Sequence, residues 1–404
     1  MRFGAKQMRY GSMAGRLLAC VLVLMAIVMG NRAVLAQGSE FSTQAKQAIL
    51  IDSDSGAVLY QHHADDPMHP ASMSKLMTLE LLYAAIRKGQ VKLDDAIVMS
   101  VNAWRSGGAP SGTSAMMVPV GTTATVDELI QGIVIQSGND ASIAIAEHLG
   151  GTEAKYAEMM TERGRELGLK GSVFKNATGL HDPEHVMTAR DLALLARHVI
   201  VDYPEFYPAY AQKDFRYLRH RFINRNPLLS LDIGVDGLKT GYIKEAGYGI
   251  VASAKQGERR LIVVVNGLPT AASRQQEARR LIEWGFRAFT EFRLFDDGEV
   301  VGSARVWGGS QLYVPLTGDG RVSVLLPRSA ANQRLRAEII YNSPLKPPIK
   351  KGDEVARLRV TNSSNTTNEV PLFAAEDIEQ GGTMRRGLDS LAYMAFRLIP
   401  VPQR

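Results

Sequence analysis

At 404 residues the chain exceeds one ordinary compact domain and implies two, and 45% hydrophobic with 22% charged residues excludes a globally disordered protein. The formal charge of +6 sits at the N-terminus: the first 36 residues hold Arg2, Lys6, Arg9, Arg16 and Arg32 and no acidic residue, leaving 42 basic against 41 acidic side chains beyond them, a net charge of +1. That near-neutral remainder lacks the basic footprint of a nucleic-acid-binding protein.

The N-terminus reads as a secretory signal, with basic residues first, then an apolar run over 17–30, then Val34-Leu35-Ala36 before the expected cut. Fourteen apolar residues fall short of the roughly 20 that span a bilayer, so cleavage is expected rather than retention as an anchor. Cys20 is the only cysteine and lies inside this segment. Export without disulfides points to a bacterial periplasm or cell surface.

Beyond the signal, an apolar strand at 48–52 is followed by a turn and a return strand at 56–61. Helical periodicity covers 73–86. Thr125-Val-Asp-Glu128 forms a capping box before the apolar stretch 129–135, and helices are expected at 141–148 and 189–200. Segments 247–255 and 260–266 read as an antiparallel hairpin. A last helix is expected over 274–292, with Leu281, Ile282, Phe286, Phe289 and Phe292 as its buried side. Strand, helices, strands and helix in that order imply an α/β domain whose two chain ends share one antiparallel sheet flanked by helices.

From about Phe295 the pattern changes to short alternating strands at 300–307, 311–315, 321–326, 335–341 and 354–361, a small all-β module of sandwich type. In the tail, Met384, Leu388, Leu391, Ala395, Leu398 and Ile399 share one helical face. Such a stripe either docks on the β module or lies in the membrane plane with Arg385, Arg386, Arg397 and Arg404 toward anionic lipid. Its place at the extreme terminus, after Gly381-Gly382, favours the membrane. The expected organisation is a signal at 1–36, an α/β domain at 37–294, an all-β domain at 295–383 and an amphipathic tail at 384–404.

Ser-x-x-Lys occurs three times, and only Ser72/Lys75 opens a helix, where residues three apart share a face. Ser137-Gly-Asn139 falls between two helices, and Lys239-Thr240-Gly241 enters a strand. A serine hydroxyl needs an adjacent base to act as nucleophile. A lysine, with a reference pKa of about 10.4, serves as that base only when its charge is disfavoured by burial or by a second cation, here Lys239. Ser137 can relay a proton to the leaving group and Asn139 can orient Lys75. Thr240 and Lys239 can bind a carboxylate, and a strand edge can take an extended substrate and supply oxyanion N–H groups.

These motifs, with "PASMSKLMT", "GAPSGTSAMM", "IVIQSGNDASIAIAE", "VDGLKTGY", "EAGYGIVASA" and "EARRLIEWGF", resemble the D-alanyl-D-alanine carboxypeptidases, the low-molecular-weight penicillin-binding proteins of serine peptidase family S11. The resemblance spans nearly the whole mature chain. It implies a β-lactamase/transpeptidase-like domain, an acyl-enzyme on Ser72, Lys75 as base, and support from Ser137 and Asn139. It further implies substrate binding by Lys239, Thr240, Gly241 and Arg274, with the N–H of Tyr242 in the oxyanion hole. Expected partners are peptidoglycan stem peptides, β-lactams and the periplasmic face of the inner membrane; no cofactor, metal or nucleic acid is expected. Many relatives carry His-Thr where this chain has Tyr242-Ile243. A β-lactamase, a cross-bridge endopeptidase and a non-catalytic wall-binding protein are the alternatives. No Glu-x-x-Leu-Asn lies between Asn139 and Lys239, which weighs against the first. His181 and His185 have metal-like spacing but no evident third ligand.

Overall fold

The computed structural model describes residues 41–328, 334–361 and 367–383, together with Arg386, Gly387 and Asp389. The export segment and most of the amphipathic tail lie outside the described residues. Among the described residues no helix is long and apolar enough to cross a membrane.

Strand β1 (Gln47–Asp52) pairs with β2 (Val58–His62), and the chain then enters a 3-10 turn at Ala71–Ser74 continued by helix α1 (Lys75–Arg87). There follow β3 (Ala96–Val98), α2 (Val101–Gly107), β4 (Thr123–Thr125), α3 (Val126–Gln131), a π-helical turn Gly132–Gln136, α4 (Asn139–Gly150), α5 (Glu153–Glu166) and α6 (Ala189–Asp202). The hairpin β5 (Asp214–Tyr217) and β6 (His220–Ile223) precedes three long strands: β7 (Val235–Ile243), β8 (Gly247–Gln256) and β9 (Arg259–Leu268). Helix α7 (Ala271–Ala288) completes the domain.

The sheet order β2-β1-β9-β8-β7 places the first strands beside the last, as the element order implies, and among the described residues leaves one edge of β7 unpaired. Ile49, Ile51, Val251, Ile262 and Val264 face the main core with α1, α4 and α6. The alternate residues Leu50 and Leu261 pack against Gly285 of α7. A sheet covered on both faces needs apolar side chains at every position, which is why β8 and β9 read as continuous apolar runs. The Thr125 box forms as expected: Thr125 Oγ1 accepts from Glu128 N at 3.2 Å and Glu128 Oε2 accepts from Thr125 N at 2.8 Å.

One helix ends earlier than its periodicity suggests. Leu281 and Ile282 are buried on α7, but Phe289 and Phe292 belong to β10 (Phe289–Phe295), where they pair with Pro327 and Val324 of β13 (Val322–Pro327). Phenylalanines three apart fit a helix face, but the run is rich in aromatic residues and a later segment supplies a ladder for it. The remaining strands β11 (Gly302–Arg305), β12 (Tyr313–Thr317), β14 (Arg336–Ile340), β15 (Glu354–Thr361) and β16 (Thr367–Ala374) form a second five-stranded sheet in the order β11-β12-β16-β15-β14. Ala304, Val314, Leu316, Val322, Val324, Leu358 and Leu372 close a separate core between this sheet and the β10–β13 pair.

Candidate active site

Ser72 lies in the 3-10 turn, where residues i and i+3 eclipse more closely than in an α-helix. Lys75 Nζ accordingly lies 3.1 Å from Ser72 Oγ. The turn begins with Ala71 at φ 48°, a left-handed conformation uncommon for a residue with a Cβ and of the sort that clusters at functional sites. It is held by close packing. A Cβ on Gly241 would come within 2.8 Å of Pro70 O and 3.1 Å of Ala71 Cβ, so β7 runs hard against the serine turn only because that position is glycine. Gly179, at φ +72°, lets the 176–180 loop approach Ala71 from another side.

Lys75 is fully buried. Besides Ser72, its amine meets Asn139 Oδ1 at 2.7 Å and the carbonyl of Thr178. A neutral amine has two hydrogens and one lone pair, so these two acceptors take both hydrogens and leave the lone pair for the serine hydroxyl. Both acceptors are fixed in turn. Asn139 Nδ2 donates to Thr113 Oγ1 at 2.9 Å and its backbone N donates to Ser114 O at 2.8 Å. The adjacent Asp140 accepts from the backbone N–H groups of Met116, Met117 and Val118, tying down the same segment. Thr178 is set by Asn176 Oδ1, which accepts from the N–H groups of Thr178 and Gly179.

Burial, and next the positive charge of Arg225, push Lys75 down to about 7, where much of it is neutral at physiological pH. Lys239, also buried, is pushed well below its ordinary range by burial and by the charges of Lys75, Arg225 and Arg274. Its one hydrogen bond among the described residues is a 3.5 Å contact to Thr240 O. Side chains alternate along a strand, so Lys239 shares the face of Gly241, which abuts the serine turn. A buried amine with no carboxylate beside it among the described residues is a receptor for an incoming anion, which restores its charge.

Ser137 follows the π-helical turn at φ 65°, and its Oγ is buried without a hydrogen-bond partner among the described residues. Thr240 is buried, whereas Tyr242 is 52% exposed and its ring lies 4.2 Å from that of Tyr248. Arg274 lies one turn inside α7, buried, with its guanidinium 5.7 Å from the Tyr248 ring and its Nε without a hydrogen-bond partner among the described residues. Hydrogen bonds thus join Ser72, Lys75 and Asn139 directly; the alternation of β7 turns Lys239 toward them. Thr113, Ser114, Thr178 and Arg225 carry no role in the sequence reading, although "GAPSGTSAMM" contains the first two. Arg225 Nη1 donates to Ser114 Oγ at 2.7 Å and so braces the segment that holds Asn139. His185 is buried edge-on to Phe174, with Nδ1 accepting from Lys175 N at 3.3 Å; among the described residues no cluster of three metal-ligating side chains forms.

A serine against a buried, largely neutral lysine, at the edge of an antiparallel sheet flanked by helices, defines a serine acyl-transfer enzyme of the transpeptidase-like fold. Residues 33–270 match the D-alanyl-D-alanine carboxypeptidase family, peptidase S11, and residues 289–380 match the C-terminal domain of penicillin-binding protein 5. The D-alanyl-D-alanine carboxypeptidase DacC of Escherichia coli K12 is 37% identical over 351 residues, covering 86% of this chain and 88% of that one. DacF of Bacillus subtilis is 33% identical over 380 residues, 91% and 95% of the two chains. The crystal structure of penicillin-binding protein 5 from Haemophilus influenzae superposes with a TM-score of 0.74 at 32% identity, covering 85% of this chain and 99% of that one. The chain belongs to the D-alanyl-D-alanine carboxypeptidase family and is a serine-type D-Ala-D-Ala carboxypeptidase.

Proposed function

We propose that the protein removes the terminal D-alanine from peptidoglycan stem pentapeptides through an acyl-enzyme on Ser72. The observation that carries this is the amine of Lys75, 3.1 Å from Ser72 Oγ with both of its hydrogens engaged elsewhere. Ser72 Oγ attacks the carbonyl of the penultimate D-alanine while its proton passes to Lys75 Nζ. The backbone N–H groups of Ser72 and Tyr242 stabilise the oxyanion. Ser137, whose hydroxyl has no partner among the described residues, relays a proton to the departing amine. Lys239, Thr240 and Arg274 hold the terminal carboxylate, and the unpaired edge of β7, with Gly241 at its closest approach to the serine turn, receives the peptide as an added strand. Water then hydrolyses the ester and regenerates the serine.

β-Lactams enter the same site and acylate Ser72. Penicillin-binding protein D2 of Listeria monocytogenes, 28% identical over 61% of this chain with a TM-score of 0.53, is known in an ampicillin-bound form, which supports the reading. The test is an intact-mass time course with benzylpenicillin followed by D-alanine release from a pentapeptide. A slowly decaying adduct on Ser72 and released D-alanine are expected; rapid drug loss without an adduct, or an adduct elsewhere, would overturn the assignment.

We further propose that the exported enzyme works in the periplasm, held to the inner membrane by residues 384–404. The one-sided apolar stripe and its arginines support this reading. Deleting 384–404 should move the enzyme to the soluble fraction, and unchanged membrane retention would refute the anchor.

A further inference from the structure

The hairpin β5–β6 is not used by the chemistry above, and its charge is unusual for this chain. Residues 213–225 carry Lys213, Arg216, Arg219, Arg221 and Arg225 against Asp214 alone, a net charge of +4, whereas everything beyond residue 36 sums to +1. The hairpin has two faces. Phe215, Tyr217 and Phe222 are buried in the main core. Arg216, Leu218, Arg219, Arg221 and Ile223 are exposed, Leu218 at 69% and Ile223 at 61%.

On the exposed face Arg216 stands directly opposite Arg221 across the ladder. Like charges in that position destabilise a strand pair. Asp214 pairs with Arg221 at 2.8 Å and attracts Arg216 from a greater distance, so one carboxylate serves two facing guanidinium groups. The side chains of Lys213, Arg216 and Arg219 make no hydrogen bond or ion pair among the described residues. A hairpin that held these cations only for its own stability would not set two of them face to face.

The strip runs to the cleft. Asn224 N donates to Lys213 O at 2.8 Å, closing the base of the hairpin, and Arg225 N donates to Ile135 O at 3.4 Å, on the π-helical turn that leads into Ser137. Arg225 then contributes its charge to Lys75 and Lys239. The base of the hairpin thus adjoins the turn that carries Ser137, and a ligand on its outer face meets a row of guanidinium groups with the exposed Leu218 at the turn.

We propose that the outer face of β5–β6 is a docking strip for the anionic peptidoglycan polymer, gripping carboxylates of stem peptides other than the one being cleaved. The inference rests on the reading that peptidoglycan is the substrate. Repeated carboxylates along a strand match repeated cations along a hairpin, each of which binds the planar anion well. The consequence is recruitment of polymer with no change in the chemical step.

The test compares Arg216→Gln/Arg219→Gln with the unaltered protein on two substrates. One is purified pentapeptide-rich sacculi; the other is diacetyl-L-lysyl-D-alanyl-D-alanine, whose only carboxylate is the terminal one. D-alanine release from sacculi should fall roughly fivefold at low ionic strength, and the gap should close near 0.5 M salt as screening removes the attraction. Turnover of the short peptide and acylation by benzylpenicillin should not change. The variant should melt at or above the unaltered protein, because it relieves the Arg216–Arg221 repulsion; should the pair of changes misfold, Arg219→Gln alone at the turn gives the same readouts. Equal losses on both substrates would make the hairpin a structural support, and no loss on sacculi would leave the strip without this role. Loss of binding to phosphatidylglycerol vesicles with sacculus turnover intact would assign the strip to lipid instead. An unaltered protein inactive on both substrates would remove the proposed function, and this inference with it.

Discussion

Helix α1 carries two buried charged residues five positions apart, and they are treated in opposite ways. Glu80, with no exposed surface, accepts from Arg163 Nε at 3.0 Å and Nη2 at 2.9 Å, lies 3.1 Å from His198 Nε2, and accepts from Tyr203 Oη at 3.3 Å. Burial pushes its carboxyl up, but hydrogen bonds from His198 and Arg163 and the guanidinium charge outweigh it and hold Glu80 below the ordinary range. Lys75, equally buried, has only neutral acceptors within hydrogen-bonding distance among the described residues, and the largest charge acting on it, that of Arg225, is repulsive. A buried charge given an opposite partner ties α1 to its neighbours; one denied a partner is kept reactive.

Removing each residue should separate these roles. Lys75→Met keeps an unbranched chain of similar length and removes the base, and acylation by benzylpenicillin should fall about 10³- to 10⁴-fold. The same change should stabilise the fold. Lys75 stands at about 7 when folded and at about 10.4 when unfolded, so the folded state binds fewer protons between those values. The penalty is full below about 7 and vanishes above the unfolded value, so the variant's melting temperature should exceed that of the unaltered protein at pH 6 and converge with it toward pH 10. A variant no more stable at pH 6 than at pH 10 would mean that Lys75 is not desolvated.

The partnered cluster should respond in the other sense. Arg163→Ala leaves Glu80 buried with His198 as its remaining basic neighbour, and unfolding stability should drop by about 3 kcal/mol, the usual cost of orphaning a buried ion. Below the unfolding temperature kcat/KM should stay within about twofold. Denaturant titration with D-alanine release on the same sample checks both, and a large loss of kcat/KM at full folding would erase the contrast between the two ends of the helix.

The same contrast explains what could be read ahead of the structure. Ser72, Lys75, Ser137, Asn139 and Lys239 are local motifs, and the sheet was legible because its strands are long apolar runs at both ends of the domain. The supports were not, because they act through backbone atoms or across long sequence distances. Thr178 contributes only a carbonyl, which any residue possesses. Arg225 reaches Ser114 across 111 positions. Helix α5 was invisible for a related reason: its buried residues Tyr156, Ala157, Met160, Thr161 and Gly164 are small or polar as often as apolar. Strand β16 includes Pro371, which argues against a strand until β15 and β12 are seen on either side of it.

Arg225 offers the smallest and most discriminating effect. Acylation needs neutral Lys75, so its rate should rise about tenfold per pH unit below 7 and level off above. The charged groups acting on that amine are Arg225, which lowers it, and Glu153 and Asp140, which raise it, with Lys239 and His185 nearby. Taking away the Arg225 charge removes repulsion, so Lys75 moves up and the ascending limb moves to higher pH. For Arg225→Gln this means a rate about two- to fivefold lower at pH 6 and little change at pH 9, as expected for one partly solvated charge. Arg225→Lys keeps the charge but not the planar fork that reaches Ser114. If charge is what matters, the lysine variant restores the limb; if bracing of the Asn139 segment matters more, both variants lose rate equally at every pH. Rates of benzylpenicillin acylation from pH 5.5 to 9.5 decide between them, because only an electrostatic role makes the deficit depend on pH.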